Sequence, residues 1–358
     1  MKSSKDIIVQ NNNLHGFLQS PFIVHEQNRE HFVKSVLQRQ VLRLQLVQFK
    51  DDLPTKPKKA LLITEFGGSL TPVDYPFSWK SAIDTVIDVM ANVRKVPVKD
   101  ISTFQQFFES HYHSLSNFLN RRRCDFVFDI YRDEPSVKDC ERKRRTGAFP
   151  INLTTIDDDT PLPKDMSSFW PSGSNKCLLE KYFFLSLLKK YSLYPLVSGD
   201  VSQGDEKWTC VMKTGTSLIN AHLKVPQNLE EADSRIIVHV YDMIKAKNTK
   251  IAVLSNDTDV FVALLYHMSA YLVIGLEELW FRAGTGGTTR FIPLHKLYRN
   301  YDTQLFSVLP AVHSLTGSDI TSKVGTKTVA ITANTIKYLT SFGKSSTICK
   351  RDIELAEK

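Results

Sequence analysis

Residues 250–259 read Lys-Ile-Ala-Val-Leu-Ser-Asn-Asp-Thr-Asp, an apolar run that stops abruptly at two acids spaced i and i+2. Its short, partly β-branched character predicts a buried strand over 250–255. In an open sheet of parallel strands, ligands gather beyond the carboxyl ends of the strands, and Asp257 and Asp259 fall at such an end. On an extended segment, acids at i and i+2 point the same way. Crowded carboxylates repel one another, and a hard cation such as Mg2+ or Mn2+ relieves that repulsion. The competing reading is local: Asp257 or Asp259 accepts backbone N–H groups at the start of the next helix.

Working outward, strand and helix patterns alternate. SAIDTVIDVMANV (81–93) is an apolar run interrupted by two acids, and Phe104 to Leu119 follows as a helix. DFVFDIY (125–131) has the β-branched and aromatic density of a buried strand. Ser136 to Arg145 predicts a charged helix, Thr146 to Ser174 a loop rich in Pro, Asp, Thr and Ser, and Lys176 to Tyr191 another helix. A helix opens at Asn228 and runs to about Ala246. AGTGGTTR (283–290) lies between the strand-like runs Tyr271–Phe281 and Arg290–Leu294. It lacks the Lys-Ser/Thr of a phosphate-binding loop and predicts a hairpin turn. The alternation implies an α/β fold with a mostly parallel central sheet covered by helices on both faces. Residues 1–75 form a leader with one amphipathic helix (His31 to Phe49). Residues 76–345 form the α/β domain, with an inserted loop and helix region at 146–227, and 346–358 form a tail.

The 358 residues are 42% hydrophobic and 23% charged, a globular composition. A net charge of +8, with a pI near 9.1, suits a polyanionic partner. The five cysteines show no zinc-ligand spacing and read as free thiols in a reducing compartment. MKSSKDIIVQNNN lacks the apolar core of a signal peptide. Val260 to Leu276, the most apolar run, is short for a bilayer and holds His267, so it predicts a buried helix followed by a buried strand, with no membrane span. An intracellular protein is expected. The basic clusters at 121–123 and 142–145 favour the nucleus over the cytoplasm.

Other acids sit at candidate element ends. Glu230-Glu231-Ala232-Asp233 opens a helix, and Asn228 with Glu231 fits a capping box. Gly317-Ser318-Asp319 places an acid after a residue that bends freely. Asp129 ends DFVFD and Asp88 ends SAIDTVID, and each alone reads as a solvated strand terminus. His313, beside VLPAV, reads as a buried, hydrogen-bonded histidine.

Taken in order, these segments resemble the flap-endonuclease/XPG-type PIN-like nucleases. The order is an early strand-end Asp, VFD, a basic helix, E-A-D opening a helix, S-x-D-x-D after a strand, and G-S-D. VFDIYRDEPSVKDCERKRR, LEEADSRIIVHV, LSNDTDVFVALLYH and LPAVHSLTGSDITSKVGTK look like metazoan, often transposon-associated, proteins carrying that domain. The resemblance covers roughly residues 80 to 340. It implies a PIN-like (Rossmann-like) fold and a nuclease hydrolysing DNA or RNA phosphodiesters with two Mg2+ or Mn2+ ions. It further implies that Asp88, Asp129, Glu231 and Asp233 serve one ion, and Asp257, Asp259 and Asp319 the other. Lys138 and Arg145, seven residues apart and on one helical face, match the family's pair that holds the scissile phosphate. Arg142 and Arg144 would meet flanking phosphates, and Lys323 and Lys327 follow the Gly-Ser-Asp as nucleic-acid contacts.

The sequence departs from that family in three places. About 80 residues precede the first ligand, and Asp84 competes with Asp88 for that role. SKVGTKTVA keeps Gly325 but not the full G-x-G turn that grips duplex backbone. The stretch from Thr146 to Gln227 has no counterpart in the family's arch. Two other functions fit the same residues: a catalytically silent nucleic-acid-binding or interaction module that retains the fold, and a two-metal hydrolase of small phosphoesters.

Overall fold

The computed structural model describes residues 83–119, 123–130, 151–190, 231–284 and 289–315, the short strands at 49–50, 53–54, 196–198, 201–203, 206–208, 211–214 and 217–220, and single positions at 62, 63, 66, 223, 225, 229, 336 and 339. In chain order the elements begin with β1 (Phe49–Lys50), β2 (Leu53–Pro54), β3 (Asp84–Asp88), α1 (Val89–Val93), α2 (Phe104–Ser114), α3 (Ser116–Leu119) and β4 (Cys124–Val127). Then come α4 (Gly173–Lys190), β5 (Leu196–Ser198), β6 (Val201–Gln203), β7 (Glu206–Trp208), β8 (Val211–Thr214) and β9 (Ser217–Asn220). The series closes with α5 (Ala232–Lys245), β10 (Lys250–Leu254), α6 (Thr258–Val273), β11 (Glu278–Ala283), β12 (Arg290–Pro293), α7 (Leu294–Asn300) and α8 (Thr303–Leu315).

Eight strands form one sheet in the order β12-β11-β10-β3-β4-β5-β8-β9. The five from β11 to β5 are mutually parallel, and β8 and β9 add an antiparallel edge. The expected α/β architecture is present: a mostly parallel sheet flanked by helices. β3 is buried at every position and lies between β10 and β4, with Val253 opposite Val86 and Ile87 opposite Phe126. The carboxyl ends of three strands from distant parts of the sequence are therefore neighbours.

Alternation along each strand divides the core between two faces. Ile87, Phe126, Ala252 and Leu254 pack with aromatics of α2 and α4, among them Phe104, Phe107, Phe108 and Phe183. The rings of Phe108 and Phe183 meet edge-on with centroids 5.2 Å apart, a geometry their quadrupoles favour. The opposite face carries α5, which packs against β3 and β4. Residues 151–172 contain no helix or strand, as their composition predicts, yet Leu162, Met166 and Phe169 are buried in the core.

The chain forms two compact units. One, residues 72–257 and 275–292, carries the sheet with α1 to α5. The other, residues 1–71, 258–274 and 293–358, contains α6, α7 and α8. Within it α6 packs on α7 and α8, and Phe66 contacts Phe261, Tyr301 and Phe306.

Several element boundaries differ from the sequence reading: the strand expected over 125–131 is Cys124–Val127, the helix expected over 104–119 breaks at Leu115, and two further differences follow. Tyr271 to Val273 belong to α6, and the strand expected from Tyr271 starts only at Glu278. Gly275 (φ +107°) supplies the left-handed residue that ends the helix, so an apolar run that spans both elements is broken by backbone geometry. The helix expected from Asn228 starts at Ala232. Val260 to Leu276 is otherwise the expected buried helix leading to a strand, and among the described residues no helix is long and apolar enough to cross a membrane. The helices expected at His31–Phe49 and Ser136–Arg145, and the turn within AGTGGTTR, fall on residues outside the described ones.

Candidate metal centre

Asp88 is the last residue of β3 and the N-cap of α1. Its Oδ1 accepts from Ala91 N at 3.0 Å, and its Oδ2 accepts from Ser255 Oγ at 2.7 Å. Only 4% of it is exposed, so the expected solvated strand end is a buried carboxyl. Burial, then the charges of Asp129 and Asp257, push its pKa up to about 7 against the opposing pull of the two hydrogen bonds. Ser255, the first residue beyond β10, also accepts from Asp257 N at 3.1 Å. One hydroxyl thus fixes the ends of both strands.

Asp129 lies two residues past β4. Its Oδ1 accepts from Ala232 N, the first residue of α5, at 2.9 Å. Glu231 occupies the N-cap position in extended conformation, and its side chain makes no capping hydrogen bond. The expected local capping box is therefore replaced by a carboxylate 103 residues upstream. Capping of α5 and assembly of the acids become one event.

Asp233, in the first turn of α5, and Asp257, beyond β10, each offer a carboxylate oxygen within 4.8 Å of the other. Asp259 offers a third within the same distance, held beside Asp257 by the chain itself, two residues on. All three are half-buried. Asp259 Oδ1 lies 2.6 Å from His313 Nε2, so His313 is the buried, hydrogen-bonded histidine its context predicts.

Of the acids singled out in the sequence, Asp88, Asp129, Glu231, Asp233, Asp257 and Asp259 all lie at or just beyond the carboxyl ends of β3, β4 and β10 or at the start of the helix that follows. Asp88, Asp129 and Glu231 stand outside the close group of three, although Asp88 senses the charges of Asp129 and Asp257. Asp84 is at the other end of β3, where its Oδ1 accepts from Arg123 N at 3.1 Å. Four residues of strand separate the two, about 13 Å, and Asp88 is the one near the other acids. Asp319, Lys138, Arg142, Arg144, Arg145, Lys323 and Lys327 lie outside the described residues.

The group of three could hold a metal ion. The three offer hard carboxylate oxygens within 4.8 Å of one another, the donor type that Mg2+ and Mn2+ take. Burial is the main cause of the upward shift at Asp88, and the charges of Asp129 and Asp257 add to it. Buried Asp125 shows the contrasting case. Burial pushes its carboxyl up, but His239 Nδ1 at 2.7 Å and a bidentate Arg123 at 2.8 and 2.9 Å outweigh this and hold it below the usual range.

Residues the sequence reading passed over complete the site. Asn92 Nδ2 donates to the carbonyls of Asp88 at 2.7 Å and Leu254 at 2.6 Å, and its Oδ1 accepts from Arg282 Nη2. The available signal was an amide four residues after Asp88 inside an apolar helix, where a buried polar group must have partners. No protein-family model matches this sequence, and no curated protein matches it either.

Proposed function

We propose that the chain is a PIN-like, Mg2+- or Mn2+-dependent nuclease that hydrolyses phosphodiester bonds of DNA or RNA. One observation carries the reading: acids from four segments distant in sequence gather beyond the carboxyl ends of three adjacent parallel strands, with three carboxylates within 4.8 Å. The order of the motifs and the net charge of +8 support the same reading.

Asp233, Asp257 and Asp259 would hold an ion, with Asp88 and Asp129 beside it. When bound, Mg2+ or Mn2+ would supply an activated water and offset charge building on the phosphoryl oxygens. With its pKa raised to about 7, chiefly by burial, Asp88 is partly protonated near neutral pH and would lose that proton as a cation arrives. Ser255 orients Asp88 and the backbone of Asp257, Ala232 N orients Asp129, and His313 orients Asp259. These contacts hold the carboxylates in place before a ligand binds, which electrostatic catalysis needs. Lys138 and Arg145 would meet the scissile phosphate, with Arg142, Arg144, Lys323 and Lys327 along the strand.

The test is incubation of the purified chain with single-stranded, duplex and branched DNA and RNA in Mg2+ or Mn2+. Cleavage that EDTA stops and Asp257→Asn abolishes is the expected result. Folded, metal-loaded protein that binds nucleic acid in a salt-sensitive way and cuts none of these substrates would instead identify a silent binding module. Turnover confined to small phosphoesters would identify a phosphatase.

A further inference from the structure

Beside the acids, on the β11 side of β3 and β10, two cations stand close together. Lys95 follows α1, its backbone N donating to Asn92 O at 3.0 Å. Its Nζ is enclosed and has no hydrogen-bond acceptor among the described residues. Arg282 is the fifth residue of β11, in register with Leu254 at the end of β10. Its guanidinium donates to Asn92 Oδ1 and lies 5.9 Å from the ring centroid of Phe118, while its Nε has no acceptor among the described residues.

Two enclosed cations without a carboxylate in contact among the described residues are unfavourable unless an anion joins them. The charge of Arg282 acts on Lys95. Burial and then Arg282 lower the Lys95 ammonium to about 8, and burial lowers Arg282 to about 10. Fully buried His111 feels Arg282 too, and burial with that charge takes its pKa down to about 3, so its ring is neutral and adds no positive charge. Asp88 is the carboxylate whose charge reaches Lys95. The pair thus borders the acids while Asn92 ties both to the strand ends. Lys95 and Arg282 are half-buried as residues, although Lys95 Nζ and Arg282 Nε themselves are enclosed.

We propose that Lys95 and Arg282 form a phosphate-binding pocket that receives a phosphate group of the nucleic-acid substrate next to the bond being cut. The inference rests on the nuclease reading for the identity of that substrate. The ligand chemistry follows from the donors: a planar guanidinium edge and a compact ammonium together match the oxygens and the charge of a phosphate. A terminal phosphomonoester and a bridging diester share this chemistry.

The experiment measures binding in EDTA by fluorescence anisotropy. The probes are a single-stranded oligonucleotide bearing a 5′-phosphate and the same strand with a 5′-hydroxyl, each also competed with inorganic phosphate. Lys95→Gln is expected to weaken binding about tenfold and Lys95→Arg to stay within about threefold of wild type. A loss confined to the phosphorylated strand identifies a terminal phosphate, and an equal loss on both identifies a bridging one. Either supports the pocket. Arg282→Gln should act like Lys95→Gln, but it also breaks the bond to Asn92. Lys95→Gln breaks no side-chain hydrogen bond among the described residues and carries the test if the other variant fails to fold. Asp257→Asn should lose cleavage yet bind at least as tightly as wild type without metal, which separates failure of catalysis from failure of the pocket. Lys95→Gln that binds both strands and inorganic phosphate as wild type does would overturn the proposal.

Discussion

Ser255 Oγ donates a 2.7 Å hydrogen bond to Asp88 Oδ2, joining residues 167 positions apart at the ends of neighbouring strands. The same hydroxyl accepts from Asp257 N. A serine between an apolar strand and two acids is therefore the junction through which the carboxylates of β3 and of the segment after β10 are set.

Asp88→Asn tests the charge at that junction. The folded pKa is raised from 3.8 to about 7 by burial, then by Asp129 and Asp257. Between those values the folded state binds more protons than the unfolded chain. Stability from the protonated carboxyl is thus fully present below about pH 4 and is lost as pH rises towards 7, by up to about 1.4 kcal/mol per pH unit. In EDTA, Asp88→Asn should melt close to wild type at pH 4 and clearly above it at pH 8, in calorimetry at both pH values. Adding Mg2+ at pH 8 should narrow the gap.

Ser255→Ala removes a donor to one buried carboxyl and an acceptor for one backbone amide. The expected cost is about 1–3 kcal/mol in urea unfolding at pH 7. Because the Ser255 bond lowers the Asp88 pKa, its loss should move the carbon-13 titration midpoint of that carboxyl upward. An unchanged midpoint would show that the hydroxyl does not hold Asp88 in solution.

His313→Ala leaves Asp259 without the ring nitrogen now 2.6 Å away. Groups that orient metal ligands typically contribute tenfold to a hundredfold in affinity. Calorimetric titration with Mn2+ should show binding weakened at least about tenfold. Wild-type affinity in this variant would remove His313 from the site.

Asp125→Asn addresses the buried network of Arg123, Asp125 and His239. It breaks the bidentate contact to Arg123 and the contact to His239, at a cost of about 3–5 kcal/mol. The Asp125 carboxyl is held below its usual range, so its contribution is present above the unfolded carboxylate pKa and lost as pH falls through the folded one. Denaturation should show a gap from wild type at pH 7 that shrinks under strong acid, with Mn2+ affinity retained.

Much of this arrangement is legible from residue order. KIAVL and DFV have the apolar, β-branched density of a buried strand, and the acids after them land where parallel strands end. The sheet's direction, however, decides between Asp84 and Asp88, two acids of one strand that face opposite ends. No local pattern carries that information. Nor does local pattern show that Asp129 caps α5, because the capping box at 228–231 offers a local start for the helix on paper. Tyr271 to Phe281 misled for a different reason: apolar residues serve a buried helix end and a buried strand equally, and Gly275 sets the break. Asn92, Lys95 and Arg282 escaped notice because each is a lone polar residue whose role depends on neighbours far along the chain.

The strand order β10-β3-β4 has a consequence for biosynthesis. A polypeptide still lacking residue 250 has β3 and β4 but nothing to occupy the third place beside them, and it has neither Ser255 nor Asp257. Pairing β10 with β3 closes a loop of well over a hundred residues, a slow, non-local step. Incomplete or interrupted translation products consequently lack the third strand end, and with it the hydroxyl that joins Asp88 to the segment carrying Asp257.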